Sequence, residues 1–433
     1  MDVHPLREHR RILAASIVGT AVEYYDFYLY GYAAALVFGP LFFPVTSSDT
    51  QTLLALLSFG IAFVARPFGA ITFGHFGDRI GRKATLVASM LSMGCCTMAI
   101  AFLPTYSVAG WIAPALLCVA RFGQGFGLGG EWAGAALLSI EYAPKGWACR
   151  FGIMPALGCA FGNIAATGVL LLIGSTMSEN SFVAWGWRLP FLASGILIAI
   201  GLWVRLKIAE TPEFREALKR APPPRVPILR LFAENPASVL TGSISLLCGF
   251  ALIYMAGPFA LAQGAGPLGY KRETFLLVQL IALICGLPFM IIFAGRADRT
   301  TFSRYVVIAA LATVAVGVAF GPALASGSLW IVGGVLFAAN ACWSLSNASF
   351  STWLSGLYPV SVRYSGFAFA FNTGGLVGGA VMPIIAQMMS NAGGLPYVGL
   401  LLSLAGLLTF GAVLASRQLE QREAASRGIV PAT

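Results

Sequence analysis

Residues 74–83 read GHFGDRIGRK. This stretch separates two long apolar runs, so the chain must reverse direction there within a few residues. The glycines permit a tight reversal, because glycine tolerates backbone conformations that other residues avoid. Basic residues alone would mark one side of a membrane, but they would not explain Asp78 or the repeated glycine. An acid facing several bases in so short a turn predicts an ion-pair latch between two helices.

The composition of the chain is that of a protein dissolved in lipid. Of the 433 residues, 58% are hydrophobic and 10% are charged, whereas an ordinary soluble domain is about 25% charged. The net charge of +10 does not indicate nucleic acid, since the basic residues cluster between apolar runs. The eight cysteines lie in or beside apolar runs without metal-ligand spacing, so neither a disulfide framework nor a metal site is expected.

Twelve apolar runs approach or exceed the roughly 20 residues that cross a bilayer as a helix. Lipid leaves no backbone polar group unpaired, so segments of this length are predicted to be α-helices. The first run is too long for the apolar part of a cleaved signal peptide. The predicted segments are 12–38, 53–76, 84–103, 109–138, 151–174, 187–207, 237–264, 274–295, 304–323, 328–352, 364–390 and 396–416.

The charges of the loops predict the orientation. With the N-terminus inside, 22 of the 27 basic residues fall on the inner side, and only Arg188, Lys271 and Arg272 fall on the outer side. Positive residues favour the cytoplasmic side of a membrane. Both termini, including the tail 417–433, are therefore predicted to be cytoplasmic.

The chain is predicted to consist of two related halves. The longest connection, residues 208–236, divides six segments from six. Gly77-Asp78-Arg79 after the second segment parallels Ala297-Asp298-Arg299 after the eighth. Such an internal repeat predicts two pseudo-symmetric six-helix bundles, 1–207 and 237–416, with a binding cavity between them near the membrane midplane.

The GHFGDRIGRK turn resembles the signature loop of the major facilitator superfamily. Further similarities to that superfamily follow in order: Arg121-Phe122-Gly123-Gln124-Gly125, Glu141-Tyr142-Ala143-Pro144 and Glu210-Thr211-Pro212. The chain also resembles the metabolite:H⁺ symporter subfamily, which includes carriers of α-ketoglutarate, citrate, shikimate and proline/betaine. That similarity lies in Glu23-Tyr24-Tyr25-Asp26-Phe27, Arg66-Pro67-Phe68-Gly69, Gly129-Gly130-Glu131-Trp132 and the stretch 185–191.

The resemblance implies a monomeric, cofactor-free protein of the cell inner membrane that works by alternating access. It also implies that the loop motifs form a conformational latch. The second half departs from the pattern, with Thr301 in place of a glycine and Gly356 in place of an acid. A weaker latch is expected there, in which Asp298 pairs with Arg299 or Arg304. The predicted latch residues are Gly74, Asp78, Arg79, Gly81, Arg82, Glu141, Arg150, Asp298 and Arg299.

Five charged residues lie away from the ends of the predicted membrane segments: Glu23, Asp26, Arg66, Arg121 and Glu131. Burying each costs at least about 2.5–3.5 kcal/mol on insertion scales, so each needs a partner or a role. Three acids against two bases become neutral with one proton, as proton coupling requires. The resemblance to the superfamily implies that the first and fourth helices are adjacent and line the cavity. We therefore predict that Asp26 pairs with Arg121, that Glu131 lies near Glu23, and that Asp26 or Glu131 carries the coupled proton. A set of fixed structural ion pairs is the alternative.

The candidate substrate residues combine one cation with aromatic and amide groups. Arg66 has no acidic partner in its own helix, so it suits a substrate carboxylate or else ties two helices together. Tyr25 and Trp132 flank the charges and can hold a quaternary ammonium, shape a pocket, or simply pack. Buried amide side chains can form hydrogen bonds with substrate hydroxyls or join helices. The predicted substrate-binding residues are Arg66, Tyr25, Gln124, Trp132, Asn340 and Asn372.

The favoured prediction is proton-coupled uptake of a small metabolite, an organic acid in particular. An exporter or antiporter of the same superfamily and a symporter of proline/betaine-type zwitterions are the alternatives. A sensor would need an output domain, which the tail 417–433 is too short to supply. No P-loop is present, so ATP is not the energy source, and no nucleophile–base set indicates an enzyme. The expected partners are a small molecule, protons and the lipid bilayer.

Overall fold

The computed structural model describes residues 5–44, 47–80, 82–129, 131–207, 227–360 and 362–426, and most of these residues lie in helices. Within these ranges the side chains at 11, 74–80, 82–84, 86, 204–207, 227–229, 420 and 422–426 are not described. No strand occurs in the described residues. The predicted all-α fold is therefore confirmed, and each of the twelve predicted segments is helical.

Twelve long helices, some of them interrupted, correspond to the predicted segments. They are α1 Arg10–Ala33, α2 Ser48–Ile80, α3 Arg82–Ala101, α4 Ile112–Leu128 with Glu131–Glu141, α5 Ala148–Gly152 with Met154–Thr176, α6 Arg188–Lys207, α7 Pro236–Ala265, α8 Arg272–Ala297, α9 Ser303–Leu324, α10 Leu329–Gly356, α11 Arg363–Asn391 and α12 Gly399–Ser426. Shorter elements are Pro5–Glu8, Ala34–Phe38, Gly39–Phe42, Tyr106–Ala109, Glu179–Ser181, Phe182–Gly186, Pro227–Glu234 and Leu395–Tyr397.

Ten of these helices qualify as membrane spans by length and composition. Nine described helices do so alone, and a tenth span results when Glu179–Gly186 and Arg188–Trp203, bent by 48°, are taken together. The other two are α1, where Glu23 and Asp26 interrupt the apolar run, and α3, whose described apolar part is Val87–Ala101. The helices also expose many large apolar side chains, which is expected of a surface that contacts lipid.

A proline interrupts α7 where the sequence predicts one continuous run. Pro258 has no N–H to donate, and Gly257 before it leaves the helical conformation with φ −91° and ψ −106°. Pro258 packs against α1, because a Cβ built on Gly31 would lie 2.9 Å from Pro258 Cγ. The break therefore brings the second part of α7 close to the backbone of α1.

The chain forms two compact units. One contains Met1–Ala135, Pro155–Pro227 and Pro258–Leu280, and so includes the part of α7 after its break. The other contains Ala136–Met154, Ile228–Gly257 and Ile281–Thr433, and so includes the end of α4 and the start of α5. The predicted division into bundles 1–207 and 237–416 stays a prediction.

Glycines of the motif stretches bring α2 and α4 into backbone contact. A Cβ on Gly69 would overlap the carbonyl oxygen of Phe126, and a Cβ on Gly125 would overlap that of Ala62. One on Gly129 would overlap the carbonyl oxygen of Arg66. Small residues allow such close approach in membrane helices. This packing fixes the helices that carry the buried arginines.

The substitution Gly125→Ala is expected to destabilise the protein. Its added methyl meets backbone rather than a side chain that can turn away, and overpacking costs about 1–3 kcal/mol. Gly168→Ala in α5 is the matched control, since nothing lies within 4 Å of its added Cβ. Thermal unfolding of the purified protein should show a lower Tm for Gly125→Ala only. Equal Tm values would contradict this account of the α2–α4 contact.

Candidate functional site

The acids of α1 are buried, and the surroundings of Asp26 differ from those predicted. Asp26 is 1% exposed, and neither of its carboxylate oxygens has a hydrogen-bond partner. The predicted Asp26–Arg121 ion pair is therefore wrong. Glu23 is also buried, and its predicted proximity to Glu131 stays a prediction.

Arg121 instead lies within an aromatic cluster. Its Cζ is 4.2 Å from the ring centroids of both Phe27 and Tyr30 and 4.6 Å from that of Phe59. Its Nε donates to the carbonyl of Phe59 at 3.3 Å, and Nη1 donates to Oε1 of Gln124 at 3.1 Å. The guanidinium therefore contacts α1 through aromatic rings and forms these hydrogen bonds with α2 and its own helix.

Gln124 links Arg121 to α3. Its amide nitrogen donates to Oγ1 of Thr97 at 2.8 Å, and the hydroxyl of Thr97 donates to the carbonyl of Met93 at 3.0 Å. Arg121, Gln124 and Thr97 are each at most 2% exposed. A directed chain of hydrogen bonds thus runs from the buried guanidinium on α4 to the hydroxyl of Thr97 on α3.

Arg66 is a buried cation without a polar partner. It is 1% exposed, and none of its three side-chain nitrogens has a hydrogen-bond partner. Its Cζ lies 4.4 Å from the ring centroid of Phe27 and 4.3 Å from that of Phe63. The ring of Phe27 therefore contacts the guanidinium groups of both Arg66 and Arg121. Cation–π contact supplies about 2 kcal/mol when desolvated, and it leaves every N–H donor of Arg66 available.

The other predicted residues of this region are buried in ways that hold the helices together. Glu131 accepts a short hydrogen bond from the hydroxyl of Ser89 on α3. The hydroxyl of Tyr25 donates to the carbonyl of Pro190 on α6 at 3.0 Å. Trp132 is 6% exposed. The predicted roles of Tyr25 and Trp132 in substrate binding and of Glu131 in proton coupling stay predictions.

The five tyrosines of α1 all face neighbouring helices. Tyr30 shares a hydrogen bond of 2.8 Å with Ser58 on α2, and Tyr32 donates to Oδ1 of Asn163 on α5 at 2.6 Å. Tyr28 lies 3.4 Å from Sγ of Cys159, also on α5. None of the five is more than 3% exposed. Because other helices surround α1, these five tyrosines pack inside the protein rather than against lipid.

The amides predicted in the second half bond to their own helices. The side-chain nitrogen of Asn340 donates to the carbonyl of Leu336 at 2.8 Å, and that of Asn372 donates to the carbonyl of Ala368 at 2.9 Å. Both residues are 6% exposed. Their predicted contact with a substrate stays a prediction.

The latch residues that are described form a different pair from the one expected. Nε of Arg150 lies 2.7 Å from Oδ2 of Asp298, and the backbone N–H of Cys149 donates to Oδ1 at 2.7 Å. Asp298 therefore pairs with the start of α5, and its predicted pairing with Arg299 or Arg304 is wrong. The sequence comparison matched the loop after α2 with the loop after α8. It did not show that the start of α5 lies against the loop after α8.

The remaining latch predictions fall at the ends of α2, α3 and α4. Glu141 is exposed at the end of α4. Gly81 lies outside the described residues, as do the side chains of Asp78, Arg79 and Arg82 and the surroundings of Gly74. Their predicted role as a latch remains a prediction.

Comparison with known proteins identifies the family. Residues 12–221 match the family of sugar (and other) transporters. The chain is 39% identical to an inner membrane metabolite transport protein of Escherichia coli K12, YhjE, over 96% of this chain and 95% of that protein. It is 37% identical to the shikimate transporter of the same organism, over 89% of this chain and 88% of that protein.

The fold agrees with a solved structure. The major facilitator superfamily proton:xylose symporter XylE, bound to 6-bromo-6-deoxy-D-glucose, superposes with a TM-score of 0.76 at 15% identity, over 95% of each chain. The chain belongs to the major facilitator superfamily of metabolite transporters. The predictions of the superfamily, of its twelve-helix fold and of a transporter rather than an enzyme are confirmed.

This transporter has a further ion pair between loop and helix that the sequence did not predict. Nη1 of Arg272, the first residue of α8, lies 2.9 Å from Oε2 of Glu179 in the connection between α5 and α6. Nη2 of Arg272 also lies 2.6 Å from Oε1 of Glu273, and its Cζ is 3.8 Å from the ring centroid of Phe182. The loop charges of Arg272 and Glu179 were the available signal, but loop charge alone does not show which loops meet.

Proposed function

We propose that this transporter is a proton-coupled symporter of the cell inner membrane that takes up a small anionic metabolite, with both termini in the cytoplasm. The observation that carries the proposal is that Arg66 and Asp26 are both buried without hydrogen-bond partners. An ionised group in such surroundings is costly unless it is paired. A substrate carboxylate satisfies Arg66, and a proton neutralises Asp26.

The electrostatics around Arg66 favour an anion. Two guanidinium groups contact the ring of Phe27, so two positive charges lie close together in an apolar region. Guanidinium presents paired N–H donors that match a carboxylate in a bidentate arrangement. The chain is 37% identical to a shikimate transporter. Shikimate is a hydroxylated carboxylic acid, so this similarity agrees with an anionic substrate.

Asp26 is the proposed carrier of the proton, and Glu131 is the second candidate. A carboxylic acid can be buried far more cheaply than a carboxylate. Glu131 has a hydrogen-bond donor in Ser89, which favours its charged form relative to an unpartnered acid. The two acids therefore differ in their surroundings, and Asp26 has those of a group that carries a proton.

Proton uptake by vesicles tests the proposal. The protein is reconstituted in proteoliposomes, and the external pH is followed after addition of simple carboxylates, shikimate-like acids and betaines. Alkalinisation with an acid supports anion–proton symport. Alkalinisation with betaines alone would replace the anion by a zwitterion, and movement of labelled solute without a pH change would remove the proton from the mechanism.

We further propose that the pair between Arg150 and Asp298 is a conformational latch. Asp298 has no exposed side-chain surface, and both of its oxygens are bonded to residues of the α5 start. Opening this contact would also uncover Cys149, which is 1% exposed. The reactivity of this thiol therefore reports on the latch without any substrate.

The substitution Asp298→Asn is expected to raise the rate at which a membrane-permeant maleimide labels Cys149. Coupling energies of about 1–3 kcal/mol change a population by 5- to 150-fold, and a gain in that range is expected. Arg299→Gln is the matched control, because Arg299 forms no ion pair with Asp298 in the part described. Mass spectrometry of the Cys149 peptide gives the rate. If both variants label like the wild type, the contact is not a latch.

A further inference from the structure

The ring of Phe27 lies within an aromatic cluster between α1 and α2. It is 2% exposed, and its centroid is 5.1 Å from that of Phe59 and 5.2 Å from that of Phe63. The rings of Phe59 and Phe63 also contact each other, with centroids 5.6 Å apart. Three rings packed in this way have little room to turn, because protein interiors are close-packed. The ring of Phe27 is therefore held in place, and both buried arginines contact it.

The two arginines are held at this ring in different ways. In addition to its ring contacts, Arg121 donates hydrogen bonds to the carbonyl of Phe59 at 3.3 Å and to Oε1 of Gln124 at 3.1 Å. Arg66 donates none within the described residues, and its guanidinium lies against aromatic rings, that of Phe27 among them. An arginine that is anchored by hydrogen bonds stays in place when a ring contact weakens. Arg66 is therefore the arginine that can exchange its contact with Phe27 for another partner.

The contact between Phe27 and Arg66 joins two helices. Phe63 precedes Arg66 by about one turn of α2, whereas Phe27 belongs to α1. The planes of the two rings are 89° apart, so a planar guanidinium can lie flat on at most one of them. A carboxylate bound in a bidentate manner takes two N–H groups that lie in the guanidinium plane. Turning this plane toward an anion therefore alters the contact of Arg66 with the ring on the other helix.

We propose that Phe27 is a positioning residue that sets the affinity for the substrate. In the empty transporter the face of its ring, which is negative, offsets the buried charge of Arg66. When the anion binds, its carboxylate neutralises Arg66 and the ring contact weakens. The free energy of that contact opposes binding, so the ring limits how tightly the anion is held. The inference rests on the proposed function of Arg66 as the group that binds a substrate carboxylate.

Fluorination of the ring tests the proposal while the ring itself is kept. Mono-, di- and trifluorophenylalanine at position 27 have nearly the shape of phenylalanine, but fluorine withdraws electrons from the ring face, so the cation–π attraction falls stepwise. Affinities for shikimate and acetate are measured by titration calorimetry on the purified protein, and Tm is measured without ligand. We expect each added fluorine to raise the affinity, by about 3- to 10-fold in the trifluoro variant. The Tm of the empty protein should fall in the same order.

Two controls separate the charge of Arg66 from ordinary packing. In Arg66→Met the ring has one cation fewer beside it, so fluorination at position 27 should lower Tm by less than in the wild type, and the remaining fall reports on Arg121. Phe38 is the matched control ring. It is fully buried on α1 among aromatic rings, and no cation contacts it in the described part of the chain. Fluorination at position 38 should leave the affinity unchanged.

Three results would overturn the proposal. The first is an affinity that stays constant or falls as fluorine is added at position 27. The second is an equal rise in affinity with fluorine at position 38, because the effect would then not depend on a cation. The third is an equal fall in Tm with and without Arg66, because the ring of Phe27 would then act through packing alone.

The experiment also separates this inference from the function on which it rests. If the wild type binds the acids and fluorination leaves the affinity constant, the anion-binding function stands and the role of Phe27 is wrong. If the wild type binds neither acid but Tm still couples Phe27 to Arg66, the ring holds the cation and the proposed anion is wrong. The claim that an anion displaces the ring contact then falls with it.

Discussion

Arg66→Met is expected to abolish binding of the anionic substrate while leaving the empty protein as stable as the wild type or more stable. Methionine fills similar space against Phe27 and Phe63 but carries no charge. A charge-assisted hydrogen bond contributes about 1.5–3 kcal/mol, so losing two of them should lower the affinity by at least about 100-fold. The empty protein loses only cation–π contact, and it no longer buries an unpaired cation.

Affinity and thermal stability should be measured on the same samples. Arg66→Lys keeps the charge but not the paired donors, so its affinity should fall to a value between those of Arg66→Met and the wild type. Arg188→Met is the control for a structural arginine, since Arg188 donates to the carbonyls of Ala184 and Leu103 at 3.1 Å each. It should lower Tm and spare the affinity. A lower Tm with unchanged affinity in Arg66→Met would show that Arg66 only ties helices together. Unchanged affinity in Arg66→Lys would show the same.

The fold was accessible from the sequence because lipid restricts what an apolar segment can do. Twelve runs of spanning length leave the backbone no alternative to the helix, and the motif turn at 74–83 indicates the family. The break in α7 was not predicted, although Gly257-Pro258 is a dipeptide that marks turns. The apolar run around this dipeptide is long enough to span the membrane, so its hydropathy predicted one continuous helix. Hydropathy does not show where a helix bends.

The site was predictable in its residues but not in its pairings. Asp26, Arg66 and Arg121 stand out because charge is rare inside membrane segments. The absence of an acidic partner for Arg66 in its own helix agrees with its unpartnered state in the fold. The supposed Asp26–Arg121 pair failed because opposite charge on adjacent helices does not specify which side chains face each other. Aromatic rings of α1 and α2 surround Arg121 instead.

The contacts of the hydroxyl residues were the hardest to predict from the sequence. Thr97 and Ser194 are ordinary residues for a membrane helix, since each can return its proton to its own backbone. Thr97 does so, and Ser194 does not. The hydrogen bond that Thr97 accepts from Gln124 of α4 is visible only in the fold. The partner of Asp298 was missed for a similar reason, since Arg150 is 148 residues away in the chain.

Asp26→Asn is expected to separate substrate movement from proton movement. Asparagine has nearly the shape of the neutral acid and carries no charge. The variant should therefore fold and bind substrate, but it cannot release a proton. In proteoliposomes, counterflow of labelled substrate should persist. External alkalinisation and accumulation driven by a pH gradient should both be lost.

Glu131→Gln is the comparison that decides which acid carries the proton. Glu131 accepts a hydrogen bond from Ser89, and a glutamine oxygen can accept the same bond. If Glu131 only joins α4 to α3, its variant should retain alkalinisation while Asp26→Asn loses it. The reverse result would move the proton to Glu131. Normal coupling in both variants would leave the buried acids as fixed structural groups, and the proton would then have to enter with the substrate itself.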